Sequence, residues 1–191
     1  MFTLAAVPEE RYMHSLRTAE MAQKLCKLYN VDADRGYLAG IGHDMCKNMN
    51  SHLLLMLAGR DGKQISALEK EKPSLLHGRA AAVKMREDFG IMDQDILQAV
   101  ACHTFGGENL CPLAKILYVA DKIEPGRDYI TNDYLEKLFR LDIDSLALTV
   151  VEENVGFLKK RKRPIAPETL LFLDSLKKEI KSDRDCKKKR D

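Results

Sequence analysis

Apolar positions along this chain recur at intervals of three and four, the period of a helix with one buried face, and no stretch alternates as a strand would. Between Glu9 and Tyr29 the stripe is His14, Thr18, Met21, Ala22, Leu25 and Tyr29, and Asn30 is placed to end it. A second helix is expected from Asp32, a suitable N-cap, to Lys47, with Leu38, Ile41 and Met45 turned inward. Short helices follow at Ser51 to Ala58 and Gln64 to Glu69, separated by the turn signal Gly59-Arg60-Asp61-Gly62. Ser74 is placed to cap a helix from Leu75 to Phe89 that Gly90 closes, and Asp93 to start one ending near His103. Pro112 suits the first turn of a helix reaching Glu124, where Pro125-Gly126 stops it. Helices at Tyr134 to Phe139 and Ser145 to Lys160, the connector Arg163-Pro164-Ile165-Ala166-Pro167, and a last helix from Glu168 to Ile180 complete an all-α pattern.

With 191 residues, 45% hydrophobic and 31% charged, the chain has the makings of one ordinary globular domain. Residues 1–181 are read as that domain and 182–191 as a basic, flexible tail. The longest apolar run, Leu53 to Ala58, is far short of the roughly 18 residues a membrane span needs. The opening MFTLAAVPEER has neither the basic start nor the apolar stretch of a signal peptide, so a cytoplasmic protein is expected. A net charge of +2 does not point to nucleic acid. Positive charge nevertheless gathers in Lys159-Lys160-Arg161-Lys162-Arg163 and in the terminal Lys187-Lys188-Lys189-Arg190. Five cysteines without a C-x-x-C pair argue against disulfides and zinc ribbons; they read as small buried hydrophobes, with a redox role for Cys46 or Cys102 as the alternative.

Four of the five histidines, His14, His43, His77 and His103, fall on the inward faces of four different helices. One inward histidine is ordinarily a hydrogen-bonded core residue. Four of them, joined by the inward carboxylates Asp44 and Asp121, fit better around a divalent cation, which compensates buried charge directly. Asp121 shares an apolar stripe with Ala114, Leu117 and Tyr118. Neighbouring helical residues point about 100° apart, so His43 and Asp44 both ligate only if the ion lies between their directions; otherwise Asp44 serves a second ion or a water. Imidazole and carboxylate without thiolate suit iron, manganese, cobalt or zinc better than magnesium or calcium. Such a site acidifies water and neutralises phosphoryl charge, which makes hydrolysis of a phosphate ester or anhydride the natural reaction.

The series His14, His43-Asp44, His77, His103 and Asp121 resembles the HD-domain phosphohydrolases. The words His43-Asp44-Met45-Cys46-Lys47, Leu76-His77-Gly78, His103-Thr104-Phe105-Gly106 and Ala120-Asp121-Lys122-Ile123-Glu124-Pro125-Gly126-Arg127-Asp128-Tyr129 are similar to its YqeK-type branch, over about residues 8 to 170. That resemblance implies a helical bundle with the metal between helices, and symmetrical cleavage of diadenosine tetraphosphate to two ADP. It implies His14, His43, Asp44 and Asp121 as metal ligands, the metal usually being iron, and His77 and His103 as phosphate or second-ion ligands. Thr104 and Arg127 would lie near the phosphates, and Pro164, Ile165, Ala166, Pro167, Glu168 and Thr169 in the stretch that closes over the nucleoside. Two positions depart from the family pattern: Gly42, where a larger apolar residue is usual, and Phe105, where Thr or Leu is common.

Other charged groups fit the same chemistry. Lys47 shares a helix face with Asp44 and would stabilise developing phosphoryl charge, a structural ion pair being the alternative. Arg127 offers a two-pronged phosphate contact beyond the Pro125-Gly126 break, and Arg17 lies one turn from His14. Asp44 is the best-placed proton acceptor for an attacking water, and no Ser or Cys nucleophile is evident. Glu124 and Asp128 are equally candidates for orienting ligands and for helix-end charges; His52 reads as a surface or capping residue. The rival functions are action on guanosine tetraphosphate or a deoxynucleotide, a non-catalytic nucleotide-binding regulator, and a structural metal domain. A homodimer stays compatible with everything above.

Overall fold

The computed structural model describes residues 8–188, which form ten α-helices and no strand. The first seven residues, which belong to the stretch read for a leader, and the last three residues of the chain lie outside that range. The helices are α1 (Glu9–Leu28), α2 (Ala33–Gly42), α3 (Ser51–Ala58), α4 (Ala67–Glu71), α5 (His77–Phe89), α6 (Gln94–Cys102), α7 (Pro112–Ile123), α8 (Asn132–Leu138), α9 (Ile143–Lys160) and α10 (Pro167–Lys188). Single 3-10 turns occur at Gly59–Asp61 and Pro73–Leu76.

Local chemistry sets most of the boundaries. The carboxylates of Asp32, Asp93 and Asp142 each accept two backbone N–H groups at a helix start, as Asn50 and Thr131 each accept one. Ser66 and Glu69 form a reciprocal capping box that starts α4 at Ala67, three residues later than Gln64. Asn30 ends α1 with φ +56°, and Gly90 ends α5 with φ +68°. Ser74 caps nothing; a 3-10 turn occupies its place, and its carbonyl is used by His77.

α7 is the axis of the bundle: Leu113 to Ala120 are all buried, and α1, α2, α6 and α9 pack around it. The expected stripe on α1 is buried from His14 to Leu25. On α2, by contrast, Leu38 is 38% exposed and the inward face is Gly36, Ala39 and Gly40. Those small residues bring α2 against α1 so closely that a Cβ on Gly40 would lie 2.4 Å from the Ala19 Cα. Periodicity weighs large apolar side chains, so it assigns the wrong face where two backbones touch. The last helix runs to Lys188, past Ile180 and past residue 182, where the tail is expected to begin. No helix among the described residues is long and apolar enough to cross a membrane.

Candidate metal centre

His14 comes from α1, His43 from the end of α2, His77 from the start of α5, His103 from the end of α6 and Asp121 from the last turn of α7. α2 stops at Gly42, and three-residue turns carry the chain on from there to Met49. This break lets adjacent His43 and Asp44 converge, with His43 Nε2 3.7 Å from Asp44 Oδ2. The absent side chain at Gly42 leaves room that Met85 fills: a Cβ there would meet its sulfur at 2.9 Å.

Three histidines share one local device. His43, His77 and His103 each direct Nδ1 at the carbonyl three residues earlier, on Gly40 (2.6 Å), Ser74 (2.7 Å) and Val100 (2.7 Å). A carbonyl only accepts, so Nδ1 carries a proton in each of the three, and a neutral ring there presents an Nε2 lone pair inward. Burial keeps His43 neutral, pushing it down to about 3, and lowers His77 as well. The lone pairs then face one another and a carboxylate. His77 Nε2 is 3.0 Å from His103 Nε2 and 3.0 Å from Asp44 Oδ1. His43 Nε2 and Asp44 Oδ1 are buried with no hydrogen-bond partner.

Asp44 spans two ligand sets. Its Oδ2 lies 3.7 Å from both His14 Nε2 and His43 Nε2, while Oδ1 faces His77 and, at 3.6 Å, His103. Asp121 Oδ1 is 3.1 Å from His14 Nε2 and 3.7 Å from His43 Nε2. The donor atoms of His14, His43 and Asp121 lie within 4.8 Å of one another, as do those of His43, Asp44 and His103. Repelling lone pairs and carboxylate oxygens gathered in a buried space, with neither thiolate nor an all-oxygen shell, are what a first-row divalent cation accommodates. Among the described residues no cysteine joins these groups: Cys46 is fully buried, and burial pushes its thiol up to about 12.

Partners behind the ligands hold their orientation. His14 Nδ1 meets Glu124 Oε1 at 3.2 Å, and Glu124, itself buried, also accepts from Arg17 Nε (2.6 Å) and the Gly126 amide (2.7 Å). Burial alone would lower His14, but the Asp121 and Glu124 carboxylates outweigh it and raise its pKa. Burial likewise opposes ionisation of Asp121, yet the Lys122 ammonium and His14 hold its carboxyl well below the usual range. Arg127 donates Nε to the Asp121 carbonyl (2.9 Å) and its other arm to that carbonyl and, at 3.2 Å, to Oδ1, so its fork is spent on the end of α7. Lys47 Nζ lies 3.0 Å from His77 Nε2 and 3.7 Å from Asp44 Oδ1. The Thr104 hydroxyl is 3.3 Å from His77 Nε2 and 3.4 Å from His103 Nε2.

The stretch from Pro164 to Thr169 is tied to the loop after His103, because the buried Thr169 donates to the Phe105 carbonyl at 2.9 Å. Gly106, at φ +78°, carries that loop under Phe172, whose ring would clash with any Cβ there. Pro164 and Pro167 are exposed, Ile165 and Glu168 half-buried, and Ala166 buried.

Two residues that sequence analysis passes over also reach the centre. Arg11 donates to Asp44 Oδ2 at 2.7 Å; it lies one helical turn before His14, a spacing that would have flagged it. Lys122 bonds the His103 carbonyl (3.0 Å) and Asp121 Oδ2 (3.3 Å) and stands 3.7 Å above the Tyr118 ring. Its position inside the word Ala120-Asp121-Lys122 was the available signal.

The family model for the HD domain matches residues 11–126, a span that holds all six of these histidines and aspartates. The chain belongs to the HD-domain family. A Halalkalibacterium halodurans protein named symmetrical bis(5'-nucleosyl)-tetraphosphatase is 33% identical, the alignment covering 88% of this chain and 89% of the relative. A Staphylococcus aureus protein of the same name is 34% identical over 87% of this chain and 79% of its own length. In three dimensions, a Clostridium acetobutylicum protein described as a predicted HD superfamily hydrolase involved in NAD metabolism superposes with a TM-score of 0.86 at 29% identity. That superposition covers 93% of this chain and 94% of the other, so the HD fold extends beyond the matched segment into α9 and α10.

Proposed function

We propose that the chain hydrolyses diadenosine tetraphosphate symmetrically, releasing two ADP, at a cation held by His14, His43, Asp44 and Asp121. The observation that carries the reading is the set of inward Nε2 atoms and carboxylate oxygens that converge from separate helices within 4.8 Å of one another. Iron is the ion the family resemblance favours, and manganese, cobalt and zinc suit the same donors. When bound, the cation supplies Lewis acidity, neutralising phosphoryl charge and making water more acidic. The names of the relatives support the dinucleoside tetraphosphate as substrate over guanosine tetraphosphate or a deoxynucleotide.

The chain's own groups do the rest. Carbonyl bonds fix the Nδ1 side of His43, His77 and His103 and leave each Nε2 turned inward, and Glu124 orients His14. Asp44, reaching both ligand sets through its two oxygens, is the proton acceptor for the attacking water. Lys47, Lys122 and Arg11 surround the phosphoryl position with fixed positive charge, held in place before the substrate arrives. Thr104 donates to a phosphate oxygen beside His77 and His103. Arg17 and Arg127 act through Glu124 and Asp121, which they hold, and the stretch from Pro164 to Thr169 closes over one nucleoside.

Product analysis tests this reading. Protein supplied with ferrous ion should convert diadenosine tetraphosphate to ADP alone, and faster than it consumes guanosine tetraphosphate. AMP plus ATP would overturn symmetrical cleavage, and no turnover with any of the four metals would overturn the enzyme reading.

A further inference from the structure

Five cations in a row, Lys159, Lys160, Arg161, Lys162 and Arg163, occupy the end of α9 and the turn that follows it, and all are exposed. Lys115, Lys122 and Arg79 each have a carboxylate partner, but none of these five pairs with a carboxylate among the described residues. The nearest thing to a partner is the Phe157 ring, 5.5 Å from the Arg161 guanidinium.

Side-chain contacts fix where this turn lies. Lys115 of α7 meets Asp144 at the start of α9 (2.7 Å), and one turn later Tyr118 meets Asn154 (3.1 Å). α7 and α9 therefore run in the same direction, and α9 ends near the end of α7 that carries Asp121 and Lys122. α10 returns alongside, with Thr169 on the Phe105 carbonyl, Phe172 against Tyr118 and Glu179 on Lys115. The unpaired charge thus projects from the end of the bundle that holds the metal centre. Overall the chain carries only +2, so attraction of an anion here is local.

The backbone of the turn is unusual as well. Lys162 has φ +50°, in the cap that closes α9 through bonds from Lys162 to the Lys159 carbonyl and from Arg163 to that of Leu158. Glycine is the ordinary residue for such a position, and among the described residues the other non-glycine residues with positive φ are Asn30 and Asn109, a type that tolerates it. A lysine held there is strained, and strain of this kind persists where the side chain has a use.

We propose that the turn Lys159–Arg163 captures the polyphosphate chain outside the metal centre, speeding arrival of the substrate and favouring longer phosphate chains over shorter ones. The proposal rests on the tetraphosphatase reading for its substrate, but the turn can be probed without turnover. The expected behaviour is that of a charged rim: it raises kcat/KM through capture, weakens with salt, and leaves kcat alone.

The test compares the metal-loaded wild type with a variant carrying Lys159→Gln, Lys160→Gln, Arg161→Gln and Lys162→Gln, and with Lys162→Gly alone. At low salt, KM for diadenosine tetraphosphate should rise roughly tenfold in the quadruple variant, with a smaller rise for the triphosphate, unchanged kcat and a flatter salt dependence. Lys162→Gly should raise Tm while raising KM, a pairing that a merely structural lysine would not give. Calorimetric affinity for inorganic tripolyphosphate should fall in both variants. An unchanged tripolyphosphate affinity, or equal losses of kcat on both dinucleotides, would overturn the capture role. Weakened tripolyphosphate binding in a protein that leaves the dinucleotides intact would keep the capture role and sink the tetraphosphatase reading instead.

Discussion

His43 donates its Nδ1 proton to the Gly40 carbonyl, and nothing among the described residues donates a hydrogen bond to its Nε2. That single side chain, with His77 beside it, sets how the metal-free protein responds to acid. Burial holds His43 at about 3 and lowers His77, whereas both titrate near 6.5 in an unfolded chain. Between those values the unfolded chain binds protons that the folded one refuses, so stability falls as pH drops below 6.5. The loss is up to about 1.4 kcal/mol per pH unit for each residue. His14 has the opposite sign: its pKa is raised, so its contribution is complete below 6.5 and lost only as pH climbs through the raised value. Urea unfolding of chelator-treated protein between about pH 4.5 and 6.5 should therefore show a steep slope, made shallower by His43→Gln. A flat profile would mean that these rings are not held neutral. The convergence of these side chains was legible because inward histidines and aspartates are rare enough to stand out from a helical stripe. Glu124 was legible as an orienting candidate, but its pairing was not: it meets His14 across 110 positions of sequence, and a contact of that span leaves no local pattern.

At the scale of the element, the approach of α1 and α2 decides whether His14 and His43 share a site. Gly40→Ala would set a Cβ 2.4 Å from the Ala19 Cα, a backbone atom that cannot step aside. We expect the helices to be pushed apart at a cost of about 1–3 kcal/mol, with bound metal lost in parallel. Gly156→Ala, on α9 where nothing lies within 4 Å of the new methyl, should instead stabilise by about 0.5–1 kcal/mol. Urea midpoints and metal content of the two variants check the contrast, and a Gly40→Ala protein with wild-type stability would refute it. Helix starts marked by Asp32 and Asp93 were readable because a capping side chain acts within three residues of itself. The inward face of α2 was not, because a glycine that permits contact looks the same in sequence as one that merely bends. The continuation of α10 to Lys188 escaped for a related reason. Lysine and aspartate at its end lose the apolar stripe, yet lysine is a good helix former.

For the molecule as a whole, the question is whether the cation holds the fold together or is held by it. A continuous apolar core runs from Met21 on α1 through Leu117 and Tyr118 on α7 to Phe172 and Leu176 on α10, and it does not depend on the ligands. Removing the metal should therefore leave the helices intact and abolish activity first, the opposite of a structural zinc domain. The cation still adds stability by mass action, since the unfolded chain cannot assemble ligands drawn from α1, α2 and α7. At a concentration a hundredfold above Kd the gain is about 2.7 kcal/mol. For a chain of this size that corresponds to a rise in Tm on the order of 5–10 °C. Asp121→Asn keeps the shape of the side chain but removes the charge that Lys122 and Arg127 flank. It should keep the helical circular dichroism of the wild type while losing most of the metal-induced rise in Tm. A wild-type protein that unfolds on chelation would make the ion structural, and an Asp121→Asn variant that gains as much from metal as its parent would place the ion elsewhere in the molecule.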